Sequence, residues 1–400
     1  MNSSLFALRF VCFYCLMVGC QPSSVQKPDS GRLTKIGGGC DGCELMYIDM
    51  PAQMDHIDTS QGWYVGNQKL VITGRVLSVD GHTPASDVIL YYWHTDDEGL
   101  YTFDGKGDPK SGKHGSLRGW VKTNAAGQYA IYTSRPAPYP NGEMAAHVHL
   151  SIKEPDLANE YYVDEINFDD DPFLLPQFKM NPPEKRGGSG VVRVLLDGNV
   201  QLAEHDIILG LNIPFYPRSL AKSPTSGLSI GEDQPSFMPF HVYGPDKGKN
   251  VCPVCKYGRF LGLIFFAGKS MNWNEISDWL NFLEQESIKR GKELKVYVVC
   301  TEEAGGNREK TIKKLEELGQ KLGLKHLALT IVPSFHDTVS EIDLSRIDPH
   351  RENTIVLFKH RRIYDKFIDM KADAHSFSKI SAALDEVNKD FFHLPEPAHD

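Results

Sequence analysis

The hydrophobic period of this chain changes near residue 240, and no single layer type accommodates both patterns. From about residue 66, apolar residues come in short β-type runs at 70–74, 88–93, 128–133, 147–152, 191–196 and 207–211. Turn-formers such as Val79-Asp80-Gly81 and Asn124-Ala125-Ala126-Gly127 lie between them. Short strands with no helical stripe between them predict an all-β sandwich or barrel over residues 66–217. Further on, apolar runs at 260–266 and 294–300 alternate with helically spaced sets, first Ile276, Trp279, Leu280 and Leu283, then Ile312, Leu315, Leu318 and Leu322. A strand at 327–332, a hairpin-like pair at 354–358 and 362–368, and an amphipathic helix over 374–387 complete the order βαβαβββα. This predicts an α/β domain over residues 239–400, a mixed sheet with helices packed on its faces. The Ser-, Pro- and Gly-rich stretch 218–238 reads as the linker.

Four hundred residues exceed what one core usually holds, in keeping with a multidomain chain. The first nineteen have a signal-peptide layout: Arg9, an apolar stretch to Val18, then Gly19 and Cys20 ahead of polar residues. That apolar stretch is too short to span a bilayer. Its end, Leu16-Met17-Val18-Gly19-Cys20, resembles a bacterial lipoprotein box. The resemblance implies that Cys20 is lipidated and becomes the N-terminus; a plain secretory signal with Cys20 incidental is the alternative. Residues 20–65 then form a tether and entry segment. The expected location is outside the cytoplasm, periplasmic or on the outer membrane, with the lipid as the sole membrane contact. With 43 basic against 52 acidic residues, a net charge of −9 and no basic block, nucleic acid is a poor partner. No oligomeric state is legible.

Beyond the signal and Cys20, five cysteines remain: Cys40, Cys43, Cys252, Cys255 and Cys300. The first four make two Cys-x-x-Cys pairs. In an oxidising compartment these are disulfides or redox pairs, and a four-thiolate zinc site requires both pairs to meet. Cys300 lies in an apolar run and reads as a small buried hydrophobe.

The densest chemistry is in the first unit. Ala146-His147-Val148-His149-Leu150 sets two imidazoles at i and i+2, on one face of a strand, where they can converge on one metal ion. Taken alone, such a pair also suits ordinary surface or hydrogen-bonded histidines. Upstream, Pro136-Ala137-Pro138-Tyr139-Pro140 brackets a tyrosine with prolines that fix the backbone. Tyr101 follows a strand end at Trp93-His94. Together with Gly74-Arg75-Val76-Leu77, Arg118-Gly119, Thr123-Asn124, Gly127-Gln128-Tyr129 and Phe168-Asp169-Asp170-Asp171-Pro172, these motifs resemble the intradiol ring-cleavage dioxygenases, which include the protocatechuate 3,4- and catechol 1,2-dioxygenases.

The resemblance implies a non-haem Fe(III) held by Tyr101, Tyr139, His147 and His149. Phenolates are hard anionic donors suited to Fe(III). It further implies that a catechol-type diol displaces Tyr139, which takes up one of its protons, and that O2 opens the ring between the two hydroxyl-bearing carbons. The product is a cis,cis-muconate-type diacid, so the role is aromatic compound catabolism. The segment between Tyr139 and His147 is shorter than the family's, with Asn141 where an aromatic residue can follow Tyr-Pro, and two further positions depart from the family pattern. Met144 stands where an arginine is common, and Glu165 where a glutamine is common. The missing cation gives Arg118, or else Arg135, a catalytic part in stabilising developing negative charge.

The second unit's element order resembles the thioredoxin-like fold. Its Cys252-Pro253-Val254-Cys255 precedes the first core strand instead of following it, and the expected active position near Lys269 to Trp273 has no cysteine. Cys252 and Cys255 are therefore either redox-active or structural, and Cys40 and Cys43 read as a disulfide pinning the entry strand. The alternative function is a thiol-disulfide redox lipoprotein whose β unit is a degenerate binding module.

Overall fold

The computed structural model describes residues 35–40, 42–142, 144–217, 226–268 and 272–388. The signal peptide, Cys20, the first part of the tether, residues 218–225 of the expected linker and residues 269–271 lie outside the described residues. From Lys35 onward the chain forms one compact unit. No helix among the described residues is long and apolar enough to cross a membrane.

The first half contains β1 (Ile57–Thr59), a helical turn α1 (Gly62–Val65), β2 (Lys69–Leu77), β3 (Ile89–His94), β4 (Arg118–Lys122), β5 (Gln128–Ser134), β6 (His147–Lys153), β7 (Tyr161–Phe168), α2 (Leu174–Met180), β8 (Val191–Val192), β9 (Leu195–Asp197), β10 (Val200–Glu204) and β11 (Ile207–Ile208). They make two sheets, β1-β5-β2-β10-β9 with β11 also on β2, and β4-β3-β6-β7-β8. Alternation does the sorting. Leu70 and Ile72 from β2, Ile131 from β5, and Leu90, Tyr92, Val148, Leu150 and Ile152 from β3 and β6 fill one shared core between the sheets. The intervening residues Tyr91, Trp93 and His149 therefore lie on the outer face of the second sheet. A 3-10 turn, Cys43–Tyr47, covers part of that face, with Met46 buried against Tyr91 and Trp93.

The second half contains β12 (Phe240–Tyr243), α3 (Pro253–Tyr257), β13 (Leu261–Ala267), α4 (Trp273–Arg290), β14 (Leu294–Thr301), α5 (Arg308–Lys321), β15 (Leu327–Val332), β16 (Asn353–Lys359), β17 (Arg362–Ile368) and α6 (Ala374–Asn388). Its sheet runs β12-β15-β14-β13-β16-β17, with β13, β14 and β15 parallel and the others antiparallel. The helices are not shared between its faces as the sequence suggested. Residues from α4, α5 and α6 all join one apolar cluster with the odd-numbered residues Leu261, Leu263 and Phe265 of β13. Both parallel crossovers step in the same direction across the sheet, so their common right-handedness puts both helices on one side. The opposite face is covered by Leu228, Phe237, Phe335, Ile342 and Ile347. Residues 226–238, expected as linker, thus supply core side chains. Cys300 is fully buried among the helices, and burial pushes its thiol up to about 12.

The two halves are joined through the β16–β17 hairpin. Lys359, 2% exposed, donates to Glu204 of β10 at 3.0 Å, and the Tyr364 hydroxyl donates to the same carboxylate at 3.0 Å. Arg362 donates to the Ser189 carbonyl.

Candidate active site

Four side chains meet at the outer face of the second sheet. The Tyr101 hydroxyl is 2.8 Å from that of Tyr139 and 2.9 Å from Nε2 of His149. Nε2 of His147 is 3.3 Å from the Tyr139 hydroxyl and 3.1 Å from Nε2 of His149. Among the described residues, no group of three or more His, Cys, Asp and Glu side chains is placed to hold a metal ion. The donors that converge are two imidazoles and two phenols, at the mutual spacing that one ion with ligands at ~2 Å imposes. Hard phenol oxygens and borderline imidazoles suit a trivalent iron.

Each side chain has a local reason for its position. His147 and His149 alternate with core-facing Val148 and Leu150. Ahead of them, the Ala145 N–H donates to Gln177 of α2 and the Ala146 N–H to the Asp171 carboxylate, both at 2.8 Å. The second of these contacts gives the acidic segment at 168–172 a structural purpose, because Asp171 holds the start of β6. The Tyr101 and Tyr139 loops are pressed together at Gly99, whose φ is +78°; a Cβ there would sit 2.1 Å from the Pro138 carbonyl oxygen. Thr95 also donates to the Ala137 carbonyl at 2.7 Å.

The outward-facing imidazole nitrogens are held too. Nδ1–H of His147 donates to the Ala145 carbonyl at 2.7 Å, which leaves Nε2 as the lone-pair donor. The His149 ring stacks on Trp93 at 4.8 Å, and Trp93 stacks on His114 at 4.1 Å. Burial, followed by the neighbouring His147, His114 and His94, holds His149 well below the usual imidazole range. Burial pushes the Tyr101 phenol far up, aided by its hydrogen bond to Tyr139 and by Glu165. A bound cation would reverse the effect on Tyr101, favouring its phenolate, and reinforce that on His149, keeping it a neutral donor.

Arg118 is not brought to these four. Its guanidinium donates to the Asp49 carboxylate at 2.7 Å and to the Ile48 carbonyl, and lies over Trp120. Arg135 is likewise engaged, by Asp170 and Gln201, over the Phe168 ring. Both guanidiniums are thus held by carboxylates, and Met144 is half-buried. Glu165 does reach the site, 3.8 Å from Nδ1 of His149. Tyr162, absent from the sequence reading, places its hydroxyl 3.3 Å from Nδ1 of His149. The departure at Glu165 was the only signal pointing towards it.

Cys40 and Cys43 form one disulfide, and Cys252 and Cys255 another, so the pairs do not combine as four zinc-binding thiolates. The first lies behind the site: Ser151 donates to Cys43 Sγ at 3.0 Å, and a Cβ on Gly42 would come within 2.7 Å of Nε2 of His114. In the second, Cys252 is buried and Cys255 exposed.

Residues 46–186 match the family model Dioxygenase_C, described as dioxygenase. The chain is 28% identical over 150 residues to catechol 1,2-dioxygenase 2 of Acinetobacter lwoffii, covering 34% of this chain and 52% of that protein. It is 30% identical over 152 residues to chlorocatechol 1,2-dioxygenase of Pseudomonas sp. (strain P51), covering 31% and 56%. A solved dioxygenase domain from a carbohydrate-binding fusion protein of Streptomyces sp. SirexAA-E aligns over 40% of this chain and 96% of that chain, at 20% identity and a TM-score of 0.30. The chain spans about half the length of the curated relatives it matches. At family level, the family model and these relatives support an intradiol dioxygenase domain in the first half of the chain.

Proposed function

We propose that this protein is a non-haem Fe(III) intradiol dioxygenase, cleaving a catechol-type aromatic diol with O2 to a cis,cis-muconate-type diacid. The observation that carries this reading is the convergence of Tyr101, Tyr139, His147 and His149 at 2.8 to 3.3 Å. When bound, Fe(III) would supply the Lewis acidity that favours the deprotonated diol and draws electron density from its ring, opening the ring carbons to O2. Tyr139, on its proline-bracketed loop, would help hold the ion and take up a diol proton at its hydroxyl oxygen. Tyr101 and the two imidazoles would hold the ion too, the rings fixed from behind by the Ala145 carbonyl and by Trp93. Exposed Leu100, next to Tyr101, gives the surroundings an apolar element suited to an aromatic ring.

The test is the visible spectrum of the iron-loaded protein in air, before and after catechol. The expected result is a broad tyrosinate-to-iron(III) band that shifts on addition, followed by ultraviolet absorption of a muconate. A protein that stays colourless under stoichiometric iron overturns the reading.

A second activity, thiol-disulfide exchange at Cys252 and Cys255, is favoured by their disulfide and by the exposure of Cys255. The element order of the second half resembles a thioredoxin-like arrangement and supports the same reading. A dithiol titration that Cys252→Ser abolishes would establish the pair as accessible. We also propose export and lipid anchoring at Cys20, tested by fatty-acid labelling of the full chain against Cys20→Ala.

A further inference from the structure

Strand β7 opposes the ligand strand β6, and their register slips beside His149. Val148 faces Ile166 and Leu150 faces Val163, so His149 alone opposes both Asp164 and Glu165. In a regular strand, residues 162 and 165 point to opposite faces. The extra residue of the bulge cancels that alternation and brings both to the face of His149. Asp164, displaced to the other side, accepts the Lys185 N–H at 2.6 Å. The result is a polar pair behind the imidazole: Nδ1 of His149 lies 3.3 Å from the Tyr162 hydroxyl and 3.8 Å from a Glu165 carboxylate oxygen. Stacking on Trp93 fixes the ring plane, so Nδ1–H has a defined direction.

We propose that Glu165, acting with Tyr162, is a positioning residue that raises the electron donation of His149 to the bound metal ion, making this centre a poorer electron acceptor than one with a neutral amide at that position. The inference rests on the iron reading above. A carboxylate behind a ligating imidazole fixes its tautomer and increases its donor strength. With Met144 in place of a cation and both nearby arginines engaged by Asp49 and Asp170, Glu165 adds negative charge that no arginine beside the ligands offsets. The chemical consequence is selectivity for electron-rich aromatic diols, because a less electron-withdrawing metal depends more on the ring's own electron density to meet O2.

The test compares wild type, Glu165→Gln and Tyr162→Phe, each loaded with Fe(III). Glu165→Gln keeps shape and removes charge. Its tyrosinate-to-iron band is expected to move to longer wavelength, its Fe(III)/Fe(II) potential to rise, and its iron to be lost to a competing chelator about 10-fold more readily. Tyr162→Phe, which removes the hydroxyl and keeps the carboxylate, is expected to shift the same way by less. A wild-type band that Glu165→Gln leaves unchanged, together with an unchanged potential, overturns this inference alone. A wild type with no band overturns the iron reading and this inference with it.

Discussion

Strands β6 and β13 are each seven residues long and each lies inside its sheet, yet only β6 carries chemistry. Every residue of β13 is buried, because helices cover one face and the 226–238 and 335–347 segments the other. All its positions are used for packing, and the sequence Leu-Gly-Leu-Ile-Phe-Phe-Ala shows it. β6 buries only Val148, Leu150 and Ile152 in the sandwich core and gives its other face to His147, His149 and Ser151. A strand with an apolar core on only one side can hold a functional constellation along its length; a strand with apolar cores on both leaves function to its ends and connecting loops.

Substitutions on the two strands should therefore fail in different ways. His149→Ala removes one of four donors, so ring cleavage and the iron band should fall by more than the ~10- to 100-fold typical of residues that merely support a ligand, with little change in thermal midpoint. Steady-state oxygen uptake and a melting curve check this. Leu263→Ala, at a position with no exposure, should do the reverse, costing about 3 kcal/mol of stability while iron binding at 20 °C persists; denaturant titration measures it. If Leu263→Ala abolished the iron band in a folded protein, the separation of roles between the strands would be wrong.

Acid should weaken the fold through a buried histidine of the first half. His94 is buried, and burial above all holds it down at about 4, with its ring nitrogens 2.7 Å from the Thr95 carbonyl and the Thr133 hydroxyl. Between pH 6.5 and 4 the unfolded imidazole binds a proton and the folded one does not. Stability from this group is thus complete above pH 6.5 and is lost as pH falls through 4, on the order of 3 kcal/mol. Unfolding midpoints measured across that range should fall, and His94→Asn should flatten the slope.

The smallest effect tests the junction itself. Lys359→Met leaves Glu204 with only Tyr364 as a partner across the halves and should cost about 2 kcal/mol, below the range for a fully buried pair because Glu204 keeps some solvent. Calorimetry should show one transition in wild type. Two separate transitions in wild type would mean that the halves, compact together, do not unfold together.

Much of this was legible in the sequence, for identifiable reasons. Strands β2, β3, β5 and β6 were legible as alternating or apolar runs, and α4, α5 and α6 as stripes of spacing three and four. β4 and β7 were not, because Arg118-Gly119 opens one and Asp164-Glu165 breaks the other's alternation. The four converging residues stood out because two histidines at i and i+2 share a strand face and prolines immobilise Tyr139. The commitment of Arg118 to Asp49 was not legible, because charge type is visible in a sequence and a partner 69 residues away is not.

The sequence by itself determined what short-range physics controls: the period of each element, the pairing of cysteines three residues apart, and the side chains available to hold an ion. Only the tertiary structure decided that the helices of the second half share one face, that residues 226–238 belong to a core, and that a bulge in β7 turns Glu165 and Tyr162 towards His149. Those outcomes depend on which strands become neighbours and in what register, and contacts between segments far apart in the chain set both.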